Sequence, residues 1–214
     1  TEIYTLSLTT LFRSDRVDDV SILLFDLQAK TSRVLAQAEA TTFGTLRFSP
    51  DGKYLAASRG LRSTKGVRET LSVIDVASGA MRDLATAWDR WPSPGAWSAD
   101  GRRLYVTADD EGDTPVFAID LASDAVTRIS AAAAGGTHDD LTRLPDGRIA
   151  CIRSTLLDAP ECYLLEPRAD TAPRPLARLS GFTPADWAQV ERVTVPSTDG
   201  TPIQSFIVKP KDAS

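Results

Sequence analysis

Leu46-Arg47-Phe48-Ser49-Pro50-Asp51-Gly52-Lys53-Tyr54-Leu55-Ala56-Ala57-Ser58 reads as two short β-strands joined by a tight turn. Apolar side chains alternate with polar ones up to a Pro-Asp-Gly break, and a second β-competent run leaves it. Pro50 presets the first turn φ, the Asp51 carboxylate accepts from nearby backbone N–H groups, and Gly52 takes the left-handed position at no steric cost. The motif recurs as Ser98-Ala99-Asp100-Gly101 and Leu144-Pro145-Asp146-Gly147, with the aspartates 49 and 46 residues apart. A second marker runs in parallel: Phe25-Asp26-Leu27, Ile74-Asp75-Val76, Ile119-Asp120-Leu121 and a degenerate Leu165-Glu166-Pro167, whose acidic residues are 49, 45 and 46 apart. Two independent markers with one period in the mid-forties match a four-stranded propeller blade. A β-sandwich with regular hairpins would not repeat both markers in phase.

Working outward, the polar stretch Gly60 to Arg68 reads as a loop, and Thr70-Leu71-Ser72-Val73-Ile74-Asp75-Val76 as the third strand of its unit. Ala77-Ser78-Gly79 turns that strand, and Ala80 to Leu84 closes the unit. The next repeat places strands at Ala96 to Ser98, Leu104 to Thr107, Val116 to Asp120 and Val126 to Ile129. The last uses Leu141 to Leu144, Ile149 to Arg153, Cys162 to Leu165 and Leu176 to Leu179. The first repeat lacks the Asp-Gly turn and offers Ile3 to Leu11, Val20 to Leu27 and Arg33 to Ala36. The expected fold class is therefore all-β: a partial β-propeller of about four four-stranded antiparallel blades, over about 1–42, 43–92, 93–138 and 139–182.

The 214 residues are 42% hydrophobic and 25% charged, enough to bury a core. The net charge is −5 and no run of five basic residues occurs, so nucleic acid and anionic membrane are poor partners. The densest apolar run, Ile22-Leu23-Leu24-Phe25, ends at Asp26, well short of the roughly 20 apolar residues of a membrane span. No signal peptide opens at Thr1, and the compartment, cytoplasmic or periplasmic, is left open. Cys151 and Cys162 are too few for a structural zinc site, and no metal or other cofactor is expected. A hairpin register centred near residues 156–157 would set the two cysteines opposite each other, so the alternatives are a cross-strand disulfide or two ordinary thiols.

The Asp-Gly and Ala-Ser-Gly turns are short and alike, whereas the second-to-third-strand loops (60–68, 109–115, 155–160) and the inter-blade connections (85–95, 130–140) are longer and dissimilar. Repeat scaffolds concentrate binding on such a variable face. Trp88, Asp89, Arg90 and Trp91 fall there and are the candidate substrate-facing residues. Packing of both indoles between blades, with Asp89 on Arg90 or on backbone, is the competing reading. His138, in Gly135-Gly136-Thr137-His138, falls in an inter-blade connection and reads as a surface-loop residue.

After Leu179 the repeat stops. Thr183-Pro184-Ala185-Asp186-Trp187 has a helix start, with Thr183 as N-cap and Pro184 in the first turn. Val190 to Val195 and Ile203 to Val208 then alternate around Ser197-Thr198-Asp199-Gly200. This hairpin does not follow the blade template, so residues 183–214 read as a linker and the first hairpin of a second domain.

Trp88-Asp89-Arg90-Trp91-Pro92-Ser93, Trp97-Ser98-Ala99-Asp100-Gly101, Leu104 to Asp110 and Pro115-Val116-Phe117 together resemble the propeller of the prolyl oligopeptidase family, in its dipeptidyl-peptidase V-like and acylaminoacyl-peptidase-like branch. Asp146-Gly147-Arg148 to Leu164 resembles the last blade of those enzymes. Glu191 to Val195, Asp199 to Ile203 and Lys209-Pro210 resemble the crossing into their α/β-hydrolase domain. The resemblance covers most of residues 43–210 and implies a propeller that caps a serine peptidase and restricts access to short peptides. The partners it implies are the protein's own α/β-hydrolase domain and a peptide substrate. The nucleophile of that family sits in a Gly-x-Ser-x-Gly elbow, and no such pentapeptide is present here. With His138 as the one histidine, no catalytic residue is assigned, and this chain by itself is expected to be inactive. Four blades do not close a ring of usual size, so unpaired flanks predict self-association. The alternatives are a TolB-like protein-binding propeller and a metal-dependent propeller such as a lactonase; the exit hairpin favours the peptidase.

Overall fold

The computed structural model describes residues 6–9, 20–63, 66–178, 180–181 and 188–211. It is an all-β chain whose sheets follow the sequence repeats. The first sheet runs β1 (Leu6–Thr9), β2 (Ser21–Asp26), β3 (Thr31–Ala36), in that order. The second runs β4 (Thr41–Phe48), β5 (Tyr54–Ser63), β6 (Gly66–Asp75), β7 (Met81–Leu84). The third contains β8 (Ser93–Trp97), β9 (Arg103–Thr107), β10 (Val116–Asp120) and β11 (Val126–Arg128), again neighbour to neighbour. The fourth is β12 (Thr137–Arg143), β13 (Ile149–Ser154), β14 (Glu161–Leu165), β15 (Arg174–Ala177). A separate two-stranded hairpin pairs β16 (Ala188–Pro196) with β17 (Pro202–Pro210). Consecutive strands pair as simple meanders, which is the blade pattern. The expected helix start at Thr183 to Trp187 lies outside the described residues.

The markers repeat because each builds the same turn. Ser49 Oγ donates to Asp51 Oδ1 (2.7 Å) and accepts from the Tyr54 amide (2.9 Å), while Asp51 Oδ1 also takes the Lys53 amide (3.1 Å). Ser98, Asp100, Arg102 and Arg103 repeat the arrangement at 2.6, 3.1 and 2.9 Å. At Leu144 no hydroxyl is available, and the Arg148 side chain on Asp146 (2.8 Å) takes its place. Gly52, Gly101 and Gly147 all have φ between 68° and 90°, the region a Cβ would disfavour. The second marker is an Asx turn: Asp75 Oδ1 accepts from the Ser78 amide and hydroxyl (both 2.7 Å), and Asp120 accepts from Ser123 in the same way. The hydrogen bonds from Ser49, Ser78, Ser98, Ser123 and Arg148 hold their aspartates below the ordinary carboxylate value.

Two expectations need correction. Gly60 to Ser63 and Gly66 to Arg68 are strand instead of loop: β5 and β6 stay paired from Tyr54↔Asp75 out to Ser63↔Gly66. Charged side chains on a two-stranded extension satisfy their backbone in the ladder as well as in a loop, so polarity misled the reading. In the fourth sheet the first strand starts at Thr137 instead of Leu141, because Asp140 at φ 50° forms a bulge that carries the pairing past two aspartates.

The chain divides into two compact units, Thr1–Val106 with Ala118–Thr127, and Thr107–Phe117 with Arg128–Ser214. In the first unit, Ile22, Leu24, Leu35, Phe43, Leu55 and Ile74 form a continuous buried cluster between the first two sheets. Arginines on the last strands of the first two sheets clasp the neighbouring sheet: Arg33 donates to the Val76 carbonyl, and Arg82 to the Leu121 carbonyl (2.5 Å). Trp97 Nε1 reaches the Arg47 carbonyl (3.0 Å), and Arg47 Nε returns a bond to the Gly95 carbonyl (2.9 Å). In the second unit the joint is backbone to backbone. Ala131 N donates to Thr171 O (2.8 Å) and Thr171 N to Ile129 O (2.7 Å).

Candidate functional site

Trp88, Asp89, Arg90 and Trp91 lie together in the first unit. They line a cleft of about 160 Å³ whose opposite wall is Arg68 to Leu71 of β6. The segment is irregular because a backbone bond from Trp88 N to Ala85 O (2.9 Å) turns the chain as it leaves β7. Arg90 Nη1 donates to the Asp89 carbonyl (2.6 Å), so the guanidinium folds back onto the backbone of its own turn. Trp91 is 61% exposed, an unusual state for an indole and one that offers an aromatic face at the rim. Trp88 is half-buried. The two indoles therefore do not both pack away as core residues.

The second unit carries a larger recess. Asp110 and Asp113 exchange backbone bonds (2.9 and 3.1 Å), making a two-residue hairpin with Glu111 at φ 53° and Gly112 at φ 79°. This presents Asp113, whose side chain is 9% exposed, to two donors: the Gly136 amide on Oδ1 (2.7 Å) and Arg192 Nη2 of β16 on Oδ2 (2.6 Å). The Arg192 guanidinium lies over the Phe206 ring of β17, 5.0 Å from its centroid. Phe206 in turn sits on Gly112, where a Cβ would come within 2.4 Å of the ring. Alternation along the hairpin puts Val190, Arg192, Phe206 and Val208 on one face, and register pairs Arg192 with Phe206 directly. A cavity of about 650 Å³ opens beside this clasp, walled by Leu156, Leu157, Val190 and Phe206.

Beneath it, Arg153 is buried and donates to the carbonyls of Ala134 (2.5 Å) and Gly135 (3.3 Å) while lying over the Tyr163 ring at 5.1 Å. His138 is also buried, at 2% exposure, in β12; the surface-loop expectation was wrong. The paired glycines before it end the connection and start the strand, which carries the imidazole inward. Its Nδ1 and its amide both donate to the Thr114 carbonyl (3.0 Å each). Because a carbonyl only accepts, Nδ1 carries the proton. Nε2 is buried without a partner among the described residues, and burial holds the ring below the ordinary histidine value.

Cys151 pairs with Tyr163 and Cys162 with Ile152, one residue away from the register a disulfide would need. The cysteines thus point to opposite sheet faces, and both are free thiols. Burial raises the Cys151 thiol to about 12. Among the described residues no group of three or more His, Cys, Asp or Glu is arranged to hold a metal ion, and no helix is long and apolar enough to cross a membrane.

Sequence reasoning missed the Asp113, Arg192 and Phe206 cluster. Glu111-Gly112 between two aspartates is a hairpin-tip signal, but the partners lie far along the chain, and periodicity carries no information on such pairings.

No family model matches the chain. It is similar to dipeptidyl-peptidase 5 of Trichophyton schoenleinii, at 36% identity over 74 residues, 34% of this chain and 10% of that protein. The dipeptidyl-peptidase 5 of Arthroderma otae matches to the same extent, 36% over 74 residues. The match thus spans about a tenth of the length of these curated relatives. Among solved structures, prolyl oligopeptidase B from Galerina marginata superposes with a TM-score of 0.59 at 16% identity, over 98% of this chain and 37% of that one. TolB from Acinetobacter baumannii superposes with a TM-score of 0.57 at 18% identity, over 96% and 49%. Both superpositions bear out the propeller-type sheet fold.

Proposed function

We propose that this chain, akin to the propeller portion of prolyl oligopeptidase family peptidases, is the non-catalytic, substrate-gating part of a serine exopeptidase of dipeptidyl- or acylaminoacyl-peptidase type. The observation that carries the reading is the combination of blade repeats with a different, docked element after them. The β16–β17 hairpin follows the last sheet and is tied to the tip of the β9–β10 hairpin by the Arg192–Asp113 pair. Its other face carries Val195, Ile203 and Ile207, each at least 39% exposed, a ready surface for further chain of the same protein. The named relatives support peptidase ancestry. In this reading the hydrolase domain supplies the nucleophile, the propeller limits access to short peptides, and the chain alone hydrolyses nothing.

Trp88 to Trp91 border the substrate space in this reading, with the exposed Trp91 indole as a contact surface. The test is Arg90→Ala in the full-length enzyme. The expected outcome is a raised KM for dipeptidyl chromogenic substrates with a smaller change in kcat, because an interaction made equally in ground and transition states is being removed. Unchanged kinetics would count against it. A TolB-like binding propeller is the second reading, favoured by the comparable superposition on TolB. It predicts a tight protein partner and no hydrolysis by the full-length protein.

A further inference from the structure

We infer that the recess beside the Arg192 clasp is a receptor for the carboxylate of a short apolar peptide, with Arg192 as its anchor; the inference rests on the peptide-handling function proposed above. The cavity of about 650 Å³ has the size of a small-molecule site and is large enough for a dipeptide-sized ligand. Its walls supply both halves of the recognition. Leu156, 59% exposed, stands with Leu157 and Val190 as an apolar surface for a side chain. Arg192 supplies the polar half. Its Nη2 is fixed by Asp113 at 2.6 Å and its plane rests on Phe206, so the guanidinium is already ordered before any ligand arrives. Among the described residues Asp113 is its one hydrogen-bond acceptor, and half of the side chain faces solvent. The remaining N–H groups form a planar fork suited to a carboxylate.

The surrounding charge permits an anion. Arg128 is paired with Asp110 (3.0 Å) and Arg192 with Asp113, but Arg153 beneath the cavity is satisfied by the Ala134 and Gly135 carbonyls and by no carboxylate among the described residues. Glu161, buried opposite Arg153 in the β13–β14 ladder, accepts from the Ser180 amide and hydroxyl and offsets part of that charge. Glu111 lies on the other flank of Arg192, where it is exposed and screened by water.

The experiment titrates the 214-residue chain with N-acetyl-leucyl-leucine and with its C-terminal amide, followed by calorimetry or amide chemical shifts. The acid is expected to bind at least about tenfold more tightly than the amide, as a charge-assisted bidentate pair requires. Arg192→Gln is expected to bring the acid down to the amide's affinity. Leu156→Ser, at an exposed position with no bearing on folding, is expected to weaken acid and amide alike and keep their ratio. Equal affinities for acid and amide, no saturable binding of the acid, a preference surviving in Arg192→Gln, or unchanged binding in Leu156→Ser would each overturn the assignment. Peptidase activity of the full-length enzyme is read separately. Activity without acid preference removes only the site, and acid preference without activity removes only the peptidase reading.

Discussion

His138 shows how one side chain reports on the whole second unit. Its Nδ1–H is held by the Thr114 carbonyl while Nε2 is buried without a partner among the described residues, so the folded state favours the neutral ring. Burial is the largest cause of the downward shift from 6.5, with the charge of Arg153 adding to it and the Thr114 bond and Asp113 opposing it. As pH falls through 6.5 the unfolded chain takes up a proton that the folded chain refuses, so stability must fall over roughly the first pH unit below that value. The denaturant midpoint of the wild-type chain is expected to drop across this window, and His138→Gln to flatten the drop while still donating to Thr114. A wild-type midpoint independent of pH there would show that the ring is solvated. Burial of this residue was illegible in the sequence because Gly135-Gly136 resembles a loop and the strand it starts contains two aspartates. The fate of the cysteines depended on a register shift of a single residue, which alternation alone does not fix.

At the scale of elements, the turns were the legible part. Ser-x-Asp-Gly dictates its own hydrogen bonds within six residues, so Ser49 to Tyr54 and Ser98 to Arg103 could be read locally and form identical networks. The exit hairpin uses the same chemistry, with Ser197 Oγ on Asp199 and the Thr201 amide on Asp199 Oδ1 (3.0 Å). That bonding, led by Ser197, holds the Asp199 carboxyl down at about 2. The β16–β17 docking was not legible, since it joins residues 79 positions apart through a glycine whose role depends on an aromatic ring elsewhere. A two-stranded hairpin has little stability of its own, so this contact holds it in place. Gly112→Ala puts a Cβ at φ 79° and against Phe206, and should destabilise the second unit by roughly 1–3 kcal/mol. Thermal unfolding checks this, and a neutral substitution would mean that Phe206 does not rest on the hairpin tip.

At the scale of the molecule, the period of the two markers was enough to read the sheets, because each blade is a local meander whose strands pair with sequence neighbours. The order of strands carries no such record of function. That comes from the resemblance, the relatives and the clasped hairpin, and the residues bordering the two recesses became visible only in three dimensions. The open flanks expected of four blades lead to a further proposal, that the chain self-associates to cover them. Sedimentation velocity should then show a concentration-dependent dimer, and a monomer at all concentrations would refute it. The central claim is that these blades serve a peptidase whose catalytic residues lie outside them. Hydrolysis of a dipeptidyl chromogenic substrate, measured side by side for the full-length protein and for the 214-residue chain, tests it most directly. Turnover is expected from the full-length protein and none from the chain alone. Turnover by the chain alone, or none by either, would contradict it.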